Sequence, residues 1–420
     1  MKILVISQYF YPENLRINDL VFSLKKRGHH IEVLTGKPNY PKGEYFDGYS
    51  WRAPSKEKIQ EIEVHRANLF LRKKAGGVRL FLNYFSFLFF ALFKIFRIKG
   101  NFDKIFIYAP SPITVGILGI VAGKKFRCKS YLWVHDLWPE SVRVAGGISN
   151  QFILGLINLM TKLIYRFTDK ILVQSPEFIP YIKNQNVDDN KLIYYPYYAE
   201  NFYKVVEPKK IYLEQFPSGF NLLFAGNIGV AQSFDTIIDT FNKLKNYNIN
   251  LVVLGDGRDK KRIQNLIKQK GIADKFYFLG SYPPEEMPHY FACADALLIT
   301  LKKAAIFSYT IPGKLQSYLA CAKPIIGSLD GIGNKIILES NSGYTSTSEN
   351  SELLANNIIK LSKKSKDELN SFSKNASEYF KKNFAKEKLL LQLEEIFKNS
   401  NMKAILLAGG TGSRLFPVTL

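Results

Sequence analysis

The chain is poor in the residues that would tie it to a disulfide framework, a structural metal or a histidine-based centre. Its three cysteines, Cys128, Cys293 and Cys321, stand far apart. None forms a C-x-x-C pair, and no Cys/His cluster has zinc spacing. That excludes a disulfide scaffold and a structural zinc site, and it suits a reducing compartment. Histidine is scarce, with five residues. No short repeat or low-complexity tract is present. The apolar run in MKILVISQYF is too short for a signal peptide and reads as a strand, so export by that route is not expected. The uncharged stretch 80–93 (LFLNYFSFLFFALF) has 14 residues, short of the roughly 20 that cross a bilayer as a helix. Acids are outnumbered: 36 Asp and Glu against 58 Lys and Arg, a net charge of +22. Such a surface attracts polyanions, while a solvated lysine-rich exterior accounts for part of the excess.

What is present is an ordinary globular composition, 46% hydrophobic and 22% charged over 420 residues, enough for two or three domains. Apolar runs KILVIS (2–7), IEVLTG (31–36), IFIYA (105–109), YLWVHD (131–136) and KILVQS (170–175) alternate with helical stretches. That alternation predicts a parallel sheet with helices on both faces. NKLIYYPYY (190–198) closes this half, and the pattern restarts with NLLFAG (221–226), NLVVLG (250–255), FYFLG (276–280), ALLITL (296–301) and KPIIGSL (323–329). The predicted organisation is a domain over 1–200, a second over 201–383, and a helix over 384–401 that returns to the first domain. The polar stretch Glu200–Pro217 marks the join. Two doubly wound α/β domains are expected to face one another across a cleft, where ligands bind at strand carboxyl ends. Basic residues bracket the stretch 80–93, with Arg72, Lys73, Lys74 and Arg79 before it and Lys94, Arg97 and Lys99 after it. An aromatic helix over about 79–97 with cations at both ends suits an anionic membrane interface, and a buried helix on the sheet is the alternative.

Five runs carry candidate chemistry. In AGNIGVAQSFDTI (225–237), Gly226 and Gly229 permit close backbone approach, and the helix that follows presents free N–H groups to a phosphate. An ordinary strand–helix turn is the alternative. VLGDGRDKKRI (253–263) is a second such junction; Asp259 is a candidate helix cap and Arg258 a candidate donor contact. In TIPGKLQSY (310–318), Pro312 suits a helix start and Gly313 clears its mouth. Lys314 then falls in the first turn, where the dipole disfavours a cation, so an anion such as a diphosphate is expected beside it. YLWVHDLWPES (131–141) puts His135 and Asp136 at a strand's carboxyl end, the imidazole toward a ligand and the carboxylate toward the ring or an acceptor. Arg16, after the first strand, faces an anionic acceptor or forms a surface ion pair.

Together, YFYPE…R, GKPNYPKG (36–43), HDLWPES, GNIGVAQSFDT, GDG and TIPGKLQSYLACAKPI resemble the WbuB-type branch of the family-four glycosyltransferases over about residues 1–399. The resemblance implies the GT-B fold and a metal-independent, retaining transfer with no cofactor. The donor, a UDP-sugar, would bind the second domain and the acceptor the first. It implies bacterial surface polysaccharide (O-antigen or capsule) biosynthesis, an N-acetylamino sugar such as N-acetyl-L-fucosamine, and an undecaprenyl-diphosphate-linked saccharide acceptor. The protein would sit on the inner face of the cytoplasmic membrane, with no nucleic-acid partner. By motif, Gly226, Asn227, Gly229, Gln232, Gly255, Gly257, Arg258, Tyr309, Gly313 and Ser317 would hold the donor. Lys314 would neutralise the departing diphosphate, His135 would touch the sugar, and Arg16 and Asp136 would meet the acceptor. Two departures stand out: Asn227 and Gln232 replace an Arg and a Lys common in the family, and Ser317 replaces a ribose-binding glutamate. TIPGK-QSY is a recurrent form in this branch, so activity is still expected. Residues 402–420 (MKAILLAGGTGSRLFPVTL) resemble the truncated start of a sugar-1-phosphate nucleotidyltransferase and are expected to add no activity. Two rival readings remain, an epimerase of UDP-N-acetylglucosamine type on the same fold and a non-enzymatic membrane or nucleic-acid binder.

Overall fold

The computed structural model describes residues 1–73, 77–146 and 148–399, so the appended segment 402–420 lies outside the described residues. Two compact units divide the described residues, Met1–Pro196 with residues 387–399, and Tyr197–Lys386.

The N-terminal unit is built on one eight-stranded sheet: β1 (Lys2–Ile6), β2 (His30–Gly36), β3 (Lys56–Ile59), β4 (Ile62–Ala67), β5 (Lys104–Ala109), β6 (Lys129–Val134), β7 (Lys170–Val173) and β8 (Leu192–Tyr194). Their spatial order is β3-β4-β2-β1-β5-β6-β7-β8. All pairs are parallel except the β3–β4 hairpin. That hairpin escaped the sequence reading because three of the four residues of β3, KEKI, are charged. Its lysines suit an edge, where they discourage further strand pairing. After a leading lysine, followed in β6 by Ser130, the central strands are buried on both faces and correspondingly apolar.

The C-terminal unit holds a six-stranded parallel sheet: β9 (Phe220–Ala225), β10 (Ile249–Leu254), β11 (Phe276–Gly280), β12 (Ala296–Thr300), β13 (Ile325–Ser328) and β14 (Gly343–Ser346). The order is β11-β10-β9-β12-β13-β14. Strand order reverses between β1 and β5 in one sheet and between β9 and β12 in the other. At such switch points the connections leave in opposite directions and open a crevice beyond the strand ends.

Capping fixes several helices. The Asn150 side chain accepts from the N–H groups of Phe152 and Ile153 at the start of helix Gln151–Phe167. Ser365 and Glu368 form a reciprocal capping box on helix Lys366–Asn383. Helix Val115–Phe126 approaches the sheet closely through Gly119 and helix Gln151–Phe167 through Gly116. A Cβ on Gly119 would lie 2.4 Å from the Ile107 side chain, and one on Gly116 2.4 Å from Ile164.

The stretch 80–93 belongs to a longer helix, Gly77–Arg97. Its 21 residues would reach about 30 Å at 1.5 Å per residue, so length does not rule out a crossing. Its inner face is bonded to the protein. Asn83 accepts from Gln8 Nε2 at 2.8 Å and donates to the Phe70 carbonyl at 2.7 Å. Ser86 accepts from the Phe70 N–H at 2.8 Å. A helix bonded to the protein along one side is committed to that surface.

Helix Lys386–Lys398 packs on the N-terminal sheet, with Phe397 against Phe106 and Tyr131. Glu394 takes two hydrogen bonds of 2.9 Å from Arg27 and one of 2.8 Å from His29. The Arg27 bonds, aided by His29, overcome the burial that opposes them and hold its carboxyl at about 2. A lowered carboxyl stabilises the fold above its unfolded value and stops doing so as pH falls through the folded one. Glu394→Gln is therefore expected to melt below the parent at pH 6, with a gap of roughly 1–3 kcal/mol. The gap should close as pH drops from about 4.5 toward 2. Melting curves at pH 6 and 3 check this, and a gap independent of pH would refute it.

Candidate functional site

At the switch point of the C-terminal sheet, β9 and β12 pair only through Ala296–Leu222 and Leu297–Leu223. Beyond that register the strands diverge and leave ladder groups to be satisfied. The Tyr318 hydroxyl accepts from the Ala225 N–H at 3.2 Å and donates to the Leu298 carbonyl at 3.3 Å. It thereby bridges the gap and fixes helix Gly313–Ala320 beneath the opening. Pro312 stands just before this helix, in the N-cap position with an extended backbone, one residue earlier than the first turn that its sequence suggests.

Lys314 rises from the first turn into the opening. Its ammonium donates to Gln232 Oε1 at 2.7 Å and lies 4.0 Å from the centre of the Phe224 ring. No carboxylate among the described residues pairs with it. The residue is only partly buried as a whole, yet its charged end is enclosed, and desolvation pulls its pKa down to about 7. A lysine so placed is easily deprotonated when alone and strongly cationic once an anion arrives. Gly226 lies directly over it: a Cβ there would stand 3.1 Å from Lys314 Nζ.

The glycines of the two turns have different tasks. Gly226 and Gly255 take φ values of +141° and +137°, which side-chain-bearing residues avoid. A Cβ on Gly255 would come within 1.9 Å of the Gly226 carbonyl oxygen, and one on Gly257 within 2.1 Å of the Ile228 carbonyl oxygen. The GDG turn therefore nests into the GNIG turn, backbone against backbone. Ile228 N–H donates to the Asp256 carbonyl at 2.8 Å and Asp259 N–H to the Ile228 carbonyl at 3.2 Å. Gly255 and Gly257 shape the cradle through this nesting, while Gly226, Asn227 and Gly229 are accessible on the outer turn. Ser233, in the left-handed region, precedes helix Phe234–Lys243 without a side-chain cap.

Asp259 does not cap its helix as the sequence suggested. It is drawn instead to Arg262, which bonds it at 2.6 and 2.7 Å and also grips Asp235 at 2.8 and 3.0 Å. A guanidinium fork satisfies two carboxylates better than a single backbone N–H satisfies one. Arg258 is exposed beside this network. Gly313 opens the Lys314 helix, Ser317 is buried one turn into it, and Tyr309 ends the short helix Ala305–Tyr309.

In the N-terminal unit His135 follows β6 and is buried against the rings of Trp133 and Tyr108, with centroids 4.3 and 4.7 Å away. Burial, with help from the Arg16 charge, lowers its pKa well below the usual histidine value. The imidazole is thus neutral at pH 7. The same interaction places the Arg16 charge, at the start of helix Arg16–Lys26, near that ring. Burial pushes the neighbouring Asp136 carboxyl up to about 7. A carboxyl poised there can take or give a proton at working pH.

Glu13 was missed. It is fully buried and accepts from the N–H groups of Phe10 at 3.0 Å, Asn39 at 2.8 Å and Tyr40 at 2.7 Å. These bonds clamp the loops after β1 and β2, which explains why YFYPE and GKPNYPKG occur together. A glutamate directly after Tyr-Pro in a loop was the available signal. Gln232 as the support of Lys314 was also missed, because a pairing across 82 positions has no local trace.

A cavity of about 420 Å³ opens beside the HDLWPES loop, lined by Glu140, Arg143, Asn158, Lys162, Tyr181 and Gln185. Glu32, Glu63 and His65 cluster at ligand distance from one another. Their charges are already engaged: Lys2 meets Glu32 at 2.9 Å, His65 meets Glu32 at 2.9 Å, and Lys56 meets Glu63 at 3.2 Å. This cluster is an ion-pair network at the sheet edge.

Residues 214–379 match the family described as Glycosyl transferases group 1, a span that contains both nested turns and the Lys314 helix. The chain is a transferase. The transferase is similar to Escherichia coli (strain K12) WcaI, provisionally described as a colanic acid biosynthesis glycosyl transferase. The two are 23% identical over 336 residues, covering 76% of this chain and 81% of WcaI. It is 24% identical over 435 aligned residues to alpha-monoglucosyldiacylglycerol synthase of Acholeplasma laidlawii, covering 95% of this chain and 98% of the synthase. Anabaena HepE, solved in complex with UDP-glucose, matches with a TM-score of 0.67 at 14% identity, over 95% of this chain and 100% of HepE. The fold of the transferase is GT-B.

Proposed function

We propose that this transferase moves an N-acetylamino sugar, such as N-acetyl-L-fucosamine, from a UDP-sugar to an undecaprenyl-diphosphate-linked saccharide with retention of configuration. The step would serve bacterial surface polysaccharide assembly, O-antigen or capsule, as in the WbuB-type branch. The observation that carries the donor half is Lys314: an enclosed ammonium at a switch point, without a carboxylate partner among the described residues, beneath a glycine turn. Burying an unpaired cation is costly unless an anion joins it, and a diphosphate supplies two.

In this reading the C-terminal unit binds the donor. The turn at Gly226, Asn227 and Gly229 lets the diphosphate approach the start of helix Phe234–Lys243, and Gln232 holds Lys314 in place. Gly313 leaves the mouth of the Lys314 helix open, and Ser317 and Tyr309 lie along the nucleoside side, with Arg258 at the rim. As the glycosidic bond to the diphosphate breaks, charge grows on the leaving oxygens, and Lys314 is stabilising there. No resident metal is needed for that charge. The N-terminal unit takes the acceptor: neutral His135 hydrogen-bonds the sugar near the reacting carbon, Asp136 accepts from the incoming hydroxyl, and Arg16 meets the acceptor's phosphate. Support comes from HepE, solved with UDP-glucose, and from the Acholeplasma relative, whose name states a glycolipid product. The enzyme would work peripherally on the cytoplasmic face of the membrane, through helix Gly77–Arg97.

Incubation with a panel of UDP-sugars and lipid-linked acceptors, read by product mass and anomeric NMR, tests the proposal. The expected product carries one added N-acetylamino sugar in the donor's anomeric form. Conversion of a UDP-sugar to its C2 epimer without acceptor would instead establish the isomerase.

A further inference from the structure

Helix Gln151–Phe167 drew no attention in the sequence, yet it repeats the design of helix Gly77–Arg97. Its inner side buries Leu154, Thr161, Ile164 and Tyr165, with Ile164 set against Gly116. Its outer side carries Phe152, Leu156, Leu159, Leu163 and Phe167, from 43% exposed at Leu163 to 74% at Phe152. Steps of three or four residues put these on one stripe. Helix Gly77–Arg97 presents a matching stripe of Val78, Phe85, Phe89, Phe93 and Phe96, from 38% exposed at Phe85 to 77% at Val78.

The two helices flank a third, Val115–Phe126, which packs against both. Lys125 of this middle helix donates to the carbonyls of Ile95 and Ile98, both at 2.6 Å, and so closes the end of helix Gly77–Arg97. Lys124 stands 5.6 Å over the ring of Phe167. The three helices therefore form one continuous layer on a single unit.

The charge of this layer is one-sided. None of the three helices contains an Asp or Glu, although the chain has 36. They do contain Arg79, Lys94, Arg97, Lys124, Lys162 and Arg166, besides Lys125. Aromatic and leucine stripes beside unopposed cations match an anionic bilayer, whose acyl boundary takes the rings and whose headgroups take the charges. A protein partner would need acids to meet those cations, and a second copy of this layer would bring only more cations.

We propose that helices Gly77–Arg97 and Gln151–Phe167 together form a two-armed face that lies on an anionic membrane surface. This rests on the reading above that the acceptor is membrane-borne, and adds that the second arm is required. Two contacts instead of one would also fix how the unit is turned on the bilayer, because a single helix can roll about its axis.

The test is co-sedimentation of the full chain with vesicles of phosphatidylcholine alone or with one-third phosphatidylglycerol, at low and high salt. The wild type should bind the anionic vesicles at least tenfold more tightly, and salt should weaken this. The triple variant Leu156→Ser/Leu159→Ser/Leu163→Ser should lose tenfold or more in partitioning, as should Phe85→Ser/Phe89→Ser/Phe93→Ser. The circular dichroism spectrum and the melting temperature should stay unchanged in both and report intact folding, since the substituted side chains face outward. Anionic-vesicle binding by the leucine variant at the wild-type level would overturn the second arm and leave the membrane reading standing. A wild type that binds neither vesicle would overturn both. Self-association of the wild type in the ultracentrifuge, lost in the leucine variant while vesicle binding persists, would reassign the face to contact between copies and overturn the proposal.

Discussion

Lys314→Ala is expected to lower kcat/KM for the nucleotide sugar by roughly 10²–10³-fold, the usual effect of deleting a group that meets developing negative charge. Two properties of the free protein should change with it. At a pKa of about 7, much of the lysine is uncharged at pH 7.5, and a bound diphosphate should draw a proton onto it. Calorimetry of UDP binding in buffers of different ionisation enthalpy should therefore show proton uptake in the wild type and none in Lys314→Ala. The second change concerns stability. Burial lowers the lysine from its usual 10.5, so between pH 7 and 10.5 the unfolded chain binds more protons than the folded one. Stability should then rise with pH across that window. Lys314→Met should remove this rise and melt no lower than the parent at pH 7, because it exchanges an unpaired buried charge for an apolar chain. Undiminished turnover in Lys314→Ala, or equal proton uptake in both proteins, would refute the phosphate role.

His135→Ala is expected to cut turnover roughly 10- to 100-fold, the range for losing one or two hydrogen bonds in an enclosed site. Its effect on UDP affinity should stay within about twofold, since in the proposed reading the C-terminal unit carries the nucleotide. The pH profile separates its role from its neighbour's. Burial and the Arg16 charge keep His135 neutral, so it should contribute no titration between pH 6 and 8. Asp136, raised to about 7, titrates in that interval. Asp136→Asn should flatten the acid limb of the turnover profile, whereas His135→Ala should lower the profile without changing its shape. An unchanged rate in His135→Ala would remove the imidazole from the site, and a shifted acid limb would mean that it titrates.

Much of the architecture follows from local chemistry. The apolar runs that became β1, β5, β6, β9, β10 and β12 needed nothing beyond their own composition, because a strand covered on both faces has no polar side to disguise it. Pro312 and the glycines at 226, 255 and 257 announced their turns for the same reason: few residues tolerate those backbone angles or that closeness. The β3–β4 hairpin was hidden because its edge strand has a single apolar residue, Ile59. Helix Gln151–Phe167 was overlooked because its outward apolar stripe looks, residue by residue, like a core helix.

Residue order was thus enough to settle the two doubly wound halves, the glycine turns at strand ends and the oddity of a lysine in a helix's first turn. Those depend on periodicity and backbone allowance, which act over a few neighbouring residues. Tertiary structure alone decided that Gln232 holds Lys314, that Tyr318 spans the splayed strands, that Gly255 and Gly257 serve packing between turns, and that Glu13 ties two loops. It also decided the protonation of Lys314, His135 and Asp136. Each of these is set by groups distant in sequence, and by how far water is excluded, which is a property of the folded chain and has no counterpart in a linear one.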